Sequence, residues 1–382
     1  MVYGIVSEFN PFHNGHKLLI DKVKTAENTV VSVTSSTFVQ RGDISIINKI
    51  DKTKGALKNG VDLVLELPAV YSLTSGEAFG KSAVEILKAT NVIDKLLFGS
   101  ECGQVKLLEK AVSIFENQQL QSKIRQYMQK GEYYPKAVYN SVAELYDKET
   151  AELFNGANNI LGIEYIRALK GSTIEPVTFP REGAGHHSNT AVEGIASGSY
   201  IREHFSEKEL LTPDYQITDT AKIENLEKLI IYKFSEMSKK EIQCLPDVIE
   251  GFENRIIQGI KSNNSFTELC YSLKTKRYTM ARIRRILCCG LLGITKEIQS
   301  TPVPYIRILG FNDKGMALLK DIKKNSTLPL ITNLKEGYDK LNDNGKKIMD
   351  IEILATRLWS LGSNNNTLLK NDFQQEILHT IS

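Results

Sequence analysis

The chain has 382 residues, a formal net charge of +3, 41% hydrophobic residues and 24% charged residues. That is enough apolar material for a packed core and excludes global disorder, while the charge is too small to mark the whole surface as a polyanion binder, so any basic surface has to be local. The five cysteines (Cys102, Cys244, Cys270, Cys288, Cys289) have no metal-ligand spacing and an odd count that argues against a full disulfide framework; Cys288 and Cys289 fall in an apolar run, where core packing is expected.

In chain order, "VYGIVSEF" reads as a short β-branched strand, and the opening "MVYGIVSEFN" lacks the basic and long apolar regions of a signal peptide. "NPFHNGH" follows and leads into a helical stretch. "TVVSVTSS", "VDLVLELP", "DKLLFGSE" and "TIEPVTFP" repeat the strand pattern, separated by helical runs such as "DKTKGALKNG" and "GEAFGKSAVEILKAT". Continuous apolar strands separated by helices predict a parallel sheet covered on both faces, with ligands bound beyond the carboxyl ends of the strands. From about Ser206 the pattern becomes helical; near Pro302 a short strand and a helix are expected, and the tail from about Ile348 reads helical. The expected division is a catalytic α/β domain over 1–205 and a mainly helical region over 206–382. No run reaches the length of a membrane span, so a cytoplasmic protein without a membrane partner is expected, and no obligate protein partner is evident.

Two of the six histidines, His13 and His16, stand three apart directly after the first predicted strand. A helix start offers free backbone N–H groups and partial positive charge to an anion. Gly15 lets the backbone approach it closely. Two imidazoles beside one phosphate can donate hydrogen bonds to oxygens that gain charge in a transition state. H-x-G-H at a strand end therefore suits an α-phosphate, with His13 and His16 as catalytic candidates; the bland alternative is two unrelated surface histidines in a turn. Zinc would need a further Cys/His cluster, so no metal site is assigned. In "SGSYIR", Ser197 or Ser199 could cap a helix and bind a terminal phosphate together with Arg202, the alternative being an ordinary cap beside a solvated arginine. Gln40, Arg41 and Asp43 of "FVQRGD" lie after the second strand and read either as a polar loop stabilised by an Arg–Asp pair or as groups at the site, while Glu66 of "LELP" and Glu101 of "FGSE" sit at strand ends and read either as site residues or as local hydrogen-bonding groups. His186 and His187 of "GAGHHSN" read as a surface loop near the nucleotide, and Gly183-x-Gly185 is not a dinucleotide fingerprint.

H-x-G-H after the first strand with a late Ser-rich turn ending in x-I-R resembles the nucleotidylyltransferase superfamily, whose Rossmann-like sheet binds ATP. The ordered set "EFNPFHNGH", "FVQRGD", "DLVLELP", "FGSE", "NNILGIEYI", "SGSYIR", "EGFEN" and "KTKRYTMARIRR" resembles one bacterial family more closely, the tRNA(Met) cytidine acetate ligases. The resemblance implies a two-step reaction. Acetate and ATP give acetyl-adenylate and pyrophosphate, and N4 of the wobble cytidine (position 34) of elongator tRNA(Met) then takes the acetyl group. It also implies ATP contacts along Val6, Ser7, Glu8, Phe9, Asn10, Pro11, Phe12, His13, Asn14, Gly15, His16, Lys17, Leu18 and Leu19, and at Gly99, Asn158 or Asn159, and Arg181, with Ser197, Ser199 and Arg202 on the distal phosphates. Of the two asparagines, Asn158 is the preferred choice. Mg²⁺ is expected to arrive with ATP on its phosphates, keeping most of its waters.

On the RNA side, "KTKRYTMARIRR" carries Lys274, Lys276, Arg277, Arg282, Arg284 and Arg285. At about 100° per residue, Met280, Ile283 and Leu287 share one narrow face and the arginines fan across the rest, a candidate phosphate-binding surface, with Tyr278 available to stack on a base. Tyr305 and Arg307 are weaker candidates. Two rivals remain: an adenylyltransferase acting on a small phosphorylated acceptor, and a non-catalytic RNA-binding protein.

Overall fold

The computed structural model describes residues 1–181 and 195–381. The segment holding Gly183, Gly185, His186 and His187 lies outside the described residues. The strands expected from the apolar runs form at β1 (Val2–Ser7), β2 (Thr29–Ser35), β5 (Leu63–Leu67), β6 (Lys95–Ser100) and β7 (Glu175–Pro180), with a small hairpin of β3 (Phe38–Val39) and β4 (Asp43–Ile44) between β2 and β5. They pair in the order β5-β2-β1-β6-β7, all parallel, with Val6 opposite Val33 and Ser7 opposite Thr34. From β1 the chain builds outward one way through β2 and β5, and the other way through β6 and β7. A crevice therefore opens beyond the carboxyl end of β1, where loops on either side diverge. Helices cover the sheet, and every residue of β5 is buried, as its unbroken apolar run requires.

The expected boundary at residue 205 does not divide the sheet. β8 (Ile306–Asn312) returns from the carboxyl-terminal half and lies antiparallel beside β5, and β9 (Leu330–Ile331) and β10 (Leu378–Thr380) both pair parallel to β8. The sheet is thus mixed, eight strands among the described residues, and the last quarter of the chain belongs to it. After Ser206 a run of helices extends to Gln299, including Glu227–Glu236, Phe252–Ser262, Phe266–Leu273 and Met280–Leu292, and the strand β8 is followed by the helices Asp313–Asn325 and Asp343–Gly362. Phe234, Ile256, Leu269, Ile283 and Leu287 fill the interior of the run ending at Gln299, and Cys288 and Cys289 are buried there as core residues.

Buried charges join the returning segment to the sheet. Lys49, Glu66, Arg307, Glu352 and Asp372 meet below the surface: Arg307 reaches Glu66 at 3.0 Å and Asp372 at 2.7 Å, while Lys49 reaches Glu66 at 3.1 Å and also pairs with Asp372. Glu66 and Arg307 are therefore structural, which corrects the readings of Glu66 as a site carboxylate and of Arg307 as an RNA contact. Tyr305 is likewise enclosed. Among the described residues no helix is long and apolar enough to cross a membrane.

Candidate active site

Beyond β1 the chain turns sharply, with Phe9 in the left-handed region (φ 42°), and enters the helix α1 (Asn14–Asp21). Phe9 and Phe12 are buried and pack their rings on His16 at 5.0 and 5.5 Å. His13 is the N-cap of α1. Its Nδ1 accepts the Gly15 N–H at 3.1 Å, and Nδ1 of His16 accepts the His13 N–H at 3.2 Å. The two rings stack at 3.7 Å. A Cβ on Gly15 would stand 3.0 Å from the His13 ring, so a residue without one is needed there. With Nδ1 occupied as an acceptor, each neutral imidazole carries its proton on Nε2 and can only donate there. Burial, then Arg181 and Arg202, lower the His13 pKa to about 3. Burial, then His13 and Arg181, hold His16 well below the ordinary histidine value. The pair is therefore a fixed set of uncharged donors.

Two compartments share these rings in their linings. One, about 180 Å³, runs over β1 and β6 and is lined by Gly99, Asn158, Tyr165 and Arg181 as well as by α1. The other, about 140 Å³, is lined by Glu8, Arg41, Arg181, Gly198, Ser199 and Arg202. His13, His16, Phe9 and Arg181 line both. Within the Val6–Leu19 stretch, Val6, Ser7, Gly15, Leu18 and Leu19 line the first compartment, and Glu8, Asn10 and Pro11 the second. Phe12, Asn14 and Lys17 line neither: Phe12 is enclosed beneath His16, and Lys17 pairs with Asp21 at 2.8 Å. Asn10 braces this turn: its Oδ1 accepts from Ile46 N at 2.7 Å and its carbonyl accepts from Arg202 at 2.8 Å.

The two asparagines differ in their surroundings. Asn158 lines the compartment and accepts from Arg181 at 3.0 Å, whereas buried Asn159 accepts the Cys102 N–H at 3.1 Å. Glu101 accepts the backbone N–H groups of both, at 3.1 and 2.6 Å, and so caps the helix Ala157–Ala168. In the later turn Ser197 is the N-cap, its Oγ accepting from Tyr200 N at 3.1 Å, and only Ser199 faces the compartment, accepting from Arg41 and Arg202 at 3.2 Å each. Leu161 and Tyr165, unassigned by the sequence reading, line the first compartment from the face that carries Asn158; the spacing 158, 161, 165 in "NNILGIEYI" was their signal.

A family model described as HIGH Nucleotidyl Transferase matches residues 1–375. The tRNA(Met) cytidine acetate ligase of Clostridium kluyveri is 38% identical, with 97% of each chain covered, and that of Thermoanaerobacter sp. is 35% identical over 97% of this chain and 98% of its own. The chain belongs to the tRNA(Met) cytidine acetate ligase family. Crystal structures of Thermotoga maritima TmcAL, one apo and one bound with alpha-thio ATP, superpose with a TM-score of 0.90 at 26% identity, covering 100% of both chains.

In this member of the ligase family, the basic segment departs from the outward fan that its helical spacing suggested. Lys274, Lys276 and Arg277 are exposed. Arg282 lies over the Tyr278 ring at 4.3 Å and donates to the Asp247 carbonyl at 2.8 Å. Arg284 pairs with Asp43 at 2.5 Å and donates to the Gly42 carbonyl at 3.2 Å, and buried Arg285 donates to the Gln40 carbonyl at 3.4 Å. Carbonyls and carboxylates from the β3–β4 hairpin and the Asp247 loop pack over the helix start and take up these guanidinium donors. Tyr278 is buried against Phe252 at 3.5 Å, so it offers no stacking face; Tyr271 is 64% exposed.

Proposed function

We propose that this chain activates acetate with ATP and transfers the acetyl group to N4 of the wobble cytidine (position 34) of elongator tRNA(Met), giving N4-acetylcytidine, AMP and pyrophosphate. The observation that carries this reading is the stacked His13–His16 pair, two neutral Nε2–H donors at the junction of two compartments. The first compartment has the apolar walls and the Asn158 and Arg181 polar groups suited to adenosine. An acetate oxygen attacks the α-phosphorus, and pyrophosphate leaves. His13 and His16 donate to the α-phosphate oxygens as charge develops, and Ser199, Arg202 and Arg41 lie where the distal phosphates would be held. Acetate becomes an acyl donor only when AMP is its leaving group, which is why the adenylate precedes transfer.

Mg²⁺ carried with ATP would neutralise charge on the phosphates held near Arg41, Ser199 and Arg202. Among the described residues no three His, Cys, Asp or Glu side chains gather as a cation cage, a donor set that fits an ion carried by the phosphates rather than by the protein. On the RNA side, exposed Lys274, Lys276 and Arg277 with Tyr271 form the phosphate-contacting surface. The test is nucleoside mass spectrometry of tRNA incubated with protein, ATP and labelled acetate. Labelled N4-acetylcytidine at the wobble position is expected, and its absence overturns the reading. A small phosphorylated acceptor would also suit Arg41, Arg181 and Arg202; ATP–pyrophosphate exchange that ignores acetate would favour it.

A further inference from the structure

The acyl-transfer step needs a proton acceptor, and the imidazoles are unsuited to it. When the cytidine amine attacks the acetyl carbon, a C–N bond forms, the C–O bond to AMP breaks with its electron pair going to the phosphate oxygen, and one N4 proton must leave. In both histidines Nδ1 is occupied by a backbone N–H, so Nε2 carries a proton and donates. Lys52, enclosed nearby, is committed to the Ser35 carbonyl at 2.9 Å.

Among the described residues lining the two compartments, Glu8 is the only carboxylate. It follows the last residue of β1 and stands in the second compartment, which shares His13 and His16 with the first. A nucleophile entering there meets a group held at the histidines, with the adenosine already in the first compartment. One carboxylate oxygen is fixed in place: Oε1 accepts the Gln40 N–H at 2.6 Å. Arg41, Arg181 and Arg202 line the same compartment. Cytosine presents N4 as a hydrogen-bond donor, and a carboxylate is the side chain that accepts from it.

Resting on the function proposed above, we infer that Glu8 is the catalytic base of acetyl transfer, accepting the N4 proton of the cytidine as the amine attacks the acetyl-adenylate, and that its carboxylate also selects for an amine donor at that position.

The test compares Glu8→Gln and Glu8→Asp with the wild type in separate half-reactions. Gln keeps an oxygen for the Gln40 N–H, so the local fold is retained, and circular dichroism checks it. In Glu8→Gln, acetyl transfer to tRNA should fall roughly a hundredfold or more, with tRNA affinity unchanged. Acetate-dependent exchange should be far less affected, and preformed acetyl-adenylate should still discharge to hydroxylamine, a nucleophile that needs no base. Glu8→Asp should recover part of the transfer rate. Wild-type transfer rates in Glu8→Gln would assign Glu8 to holding Gln40 alone and overturn the inference; an equal fall in adenylation and transfer would assign it to the first step and also overturn it. Failure of the wild type to make N4-acetylcytidine would instead overturn the functional reading beneath it.

Discussion

At the scale of single residues, the site works with groups whose protonation the protein has decided in advance. His13 and His16 sit where burial and neighbouring arginines keep them neutral, so each donates without having to lose or gain a proton. His13→Ala and His16→Ala should each slow acetate-dependent ATP–pyrophosphate exchange about a hundredfold, the usual consequence of losing one donor to a developing charge. Exchange in the wild type should show no inflection near 6.5, the ordinary histidine value. The same lowering links folding to pH. Between about 3 and 6.5 the unfolded chain binds a proton at His13 that the folded chain does not, so stability falls as pH drops through that window and is fully present above it. His13→Asn, which keeps an N-cap acceptor, should flatten this slope in urea melts taken across that range. Lys52 behaves alike at higher pH: burial lowers it to about 7 against 10.5 in the unfolded chain, with Glu8 and Glu352 opposing, so stability should rise from 7 to 10.5 and Lys52→Met should abolish the rise.

At the scale of elements, the β3–β4 hairpin ties the basic helix to the second compartment. Gly42 lies at φ 74°, and a Cβ there would come within 2.3 Å of the Arg285 backbone nitrogen. Its neighbours reach both ways, Arg284 to Asp43 on one side, and Gln40 N to Glu8 and Arg41 to Ser199 on the other. Gly42→Ala should therefore cost about 1–3 kcal/mol from backbone conformation alone and more from the clash, read as a lowered urea midpoint. The basic residues of this segment divide into two classes. Lys274, Lys276 and Arg277 replaced together by Ala should weaken tRNA binding and flatten its salt dependence, because exposed phosphate contacts release counterions. Arg284→Ala should instead lower stability by roughly 1–3 kcal/mol, since it strips a charged partner from a partly buried Asp43. Equal effects of the two variants on both measurements would overturn the division.

For the whole molecule, the decisive feature is the return of β8 to β5 and the charges buried beneath that junction. Three carboxylates, Glu66, Glu352 and Asp372, face two cations, Lys49 and Arg307. Burial, then Glu66, raise Glu352 to about 7, while Ser36 and the Ala69 N–H bond its oxygens. Burial alone would lower Lys49, but Asp372 and Glu66 outweigh it and raise it. Arg307→Met should cost roughly 3–5 kcal/mol, because it leaves carboxylates buried with one cation between them. A fragment of residues 1–205 should fail to give a cooperative thermal transition, since β5 would lose its outer neighbour and Glu66 its arginine partner. A sharp, reversible melt of that fragment would restore the expected domain boundary.

The sequence by itself determined the five parallel strands, the helix start at H-x-G-H and the family, because these depend on apolar periodicity and on residues a turn apart: His13, Gly15 and His16 make their site within four positions. It also marked Glu8, Arg41 and Arg202, though not how they meet. Only the tertiary structure decided which asparagine faces the compartment, that Arg284 and Arg285 turn inward, that Tyr278 is covered, and that the carboxyl-terminal strands complete the amino-terminal sheet. In each case the deciding partner comes from elsewhere in the chain: Cys102 for Asn159, Asp43 for Arg284, Phe252 for Tyr278, β5 for β8. A guanidinium or a phenol on a helix has the same local pattern whether it faces water or a carbonyl, and only the segment packed over it makes the difference.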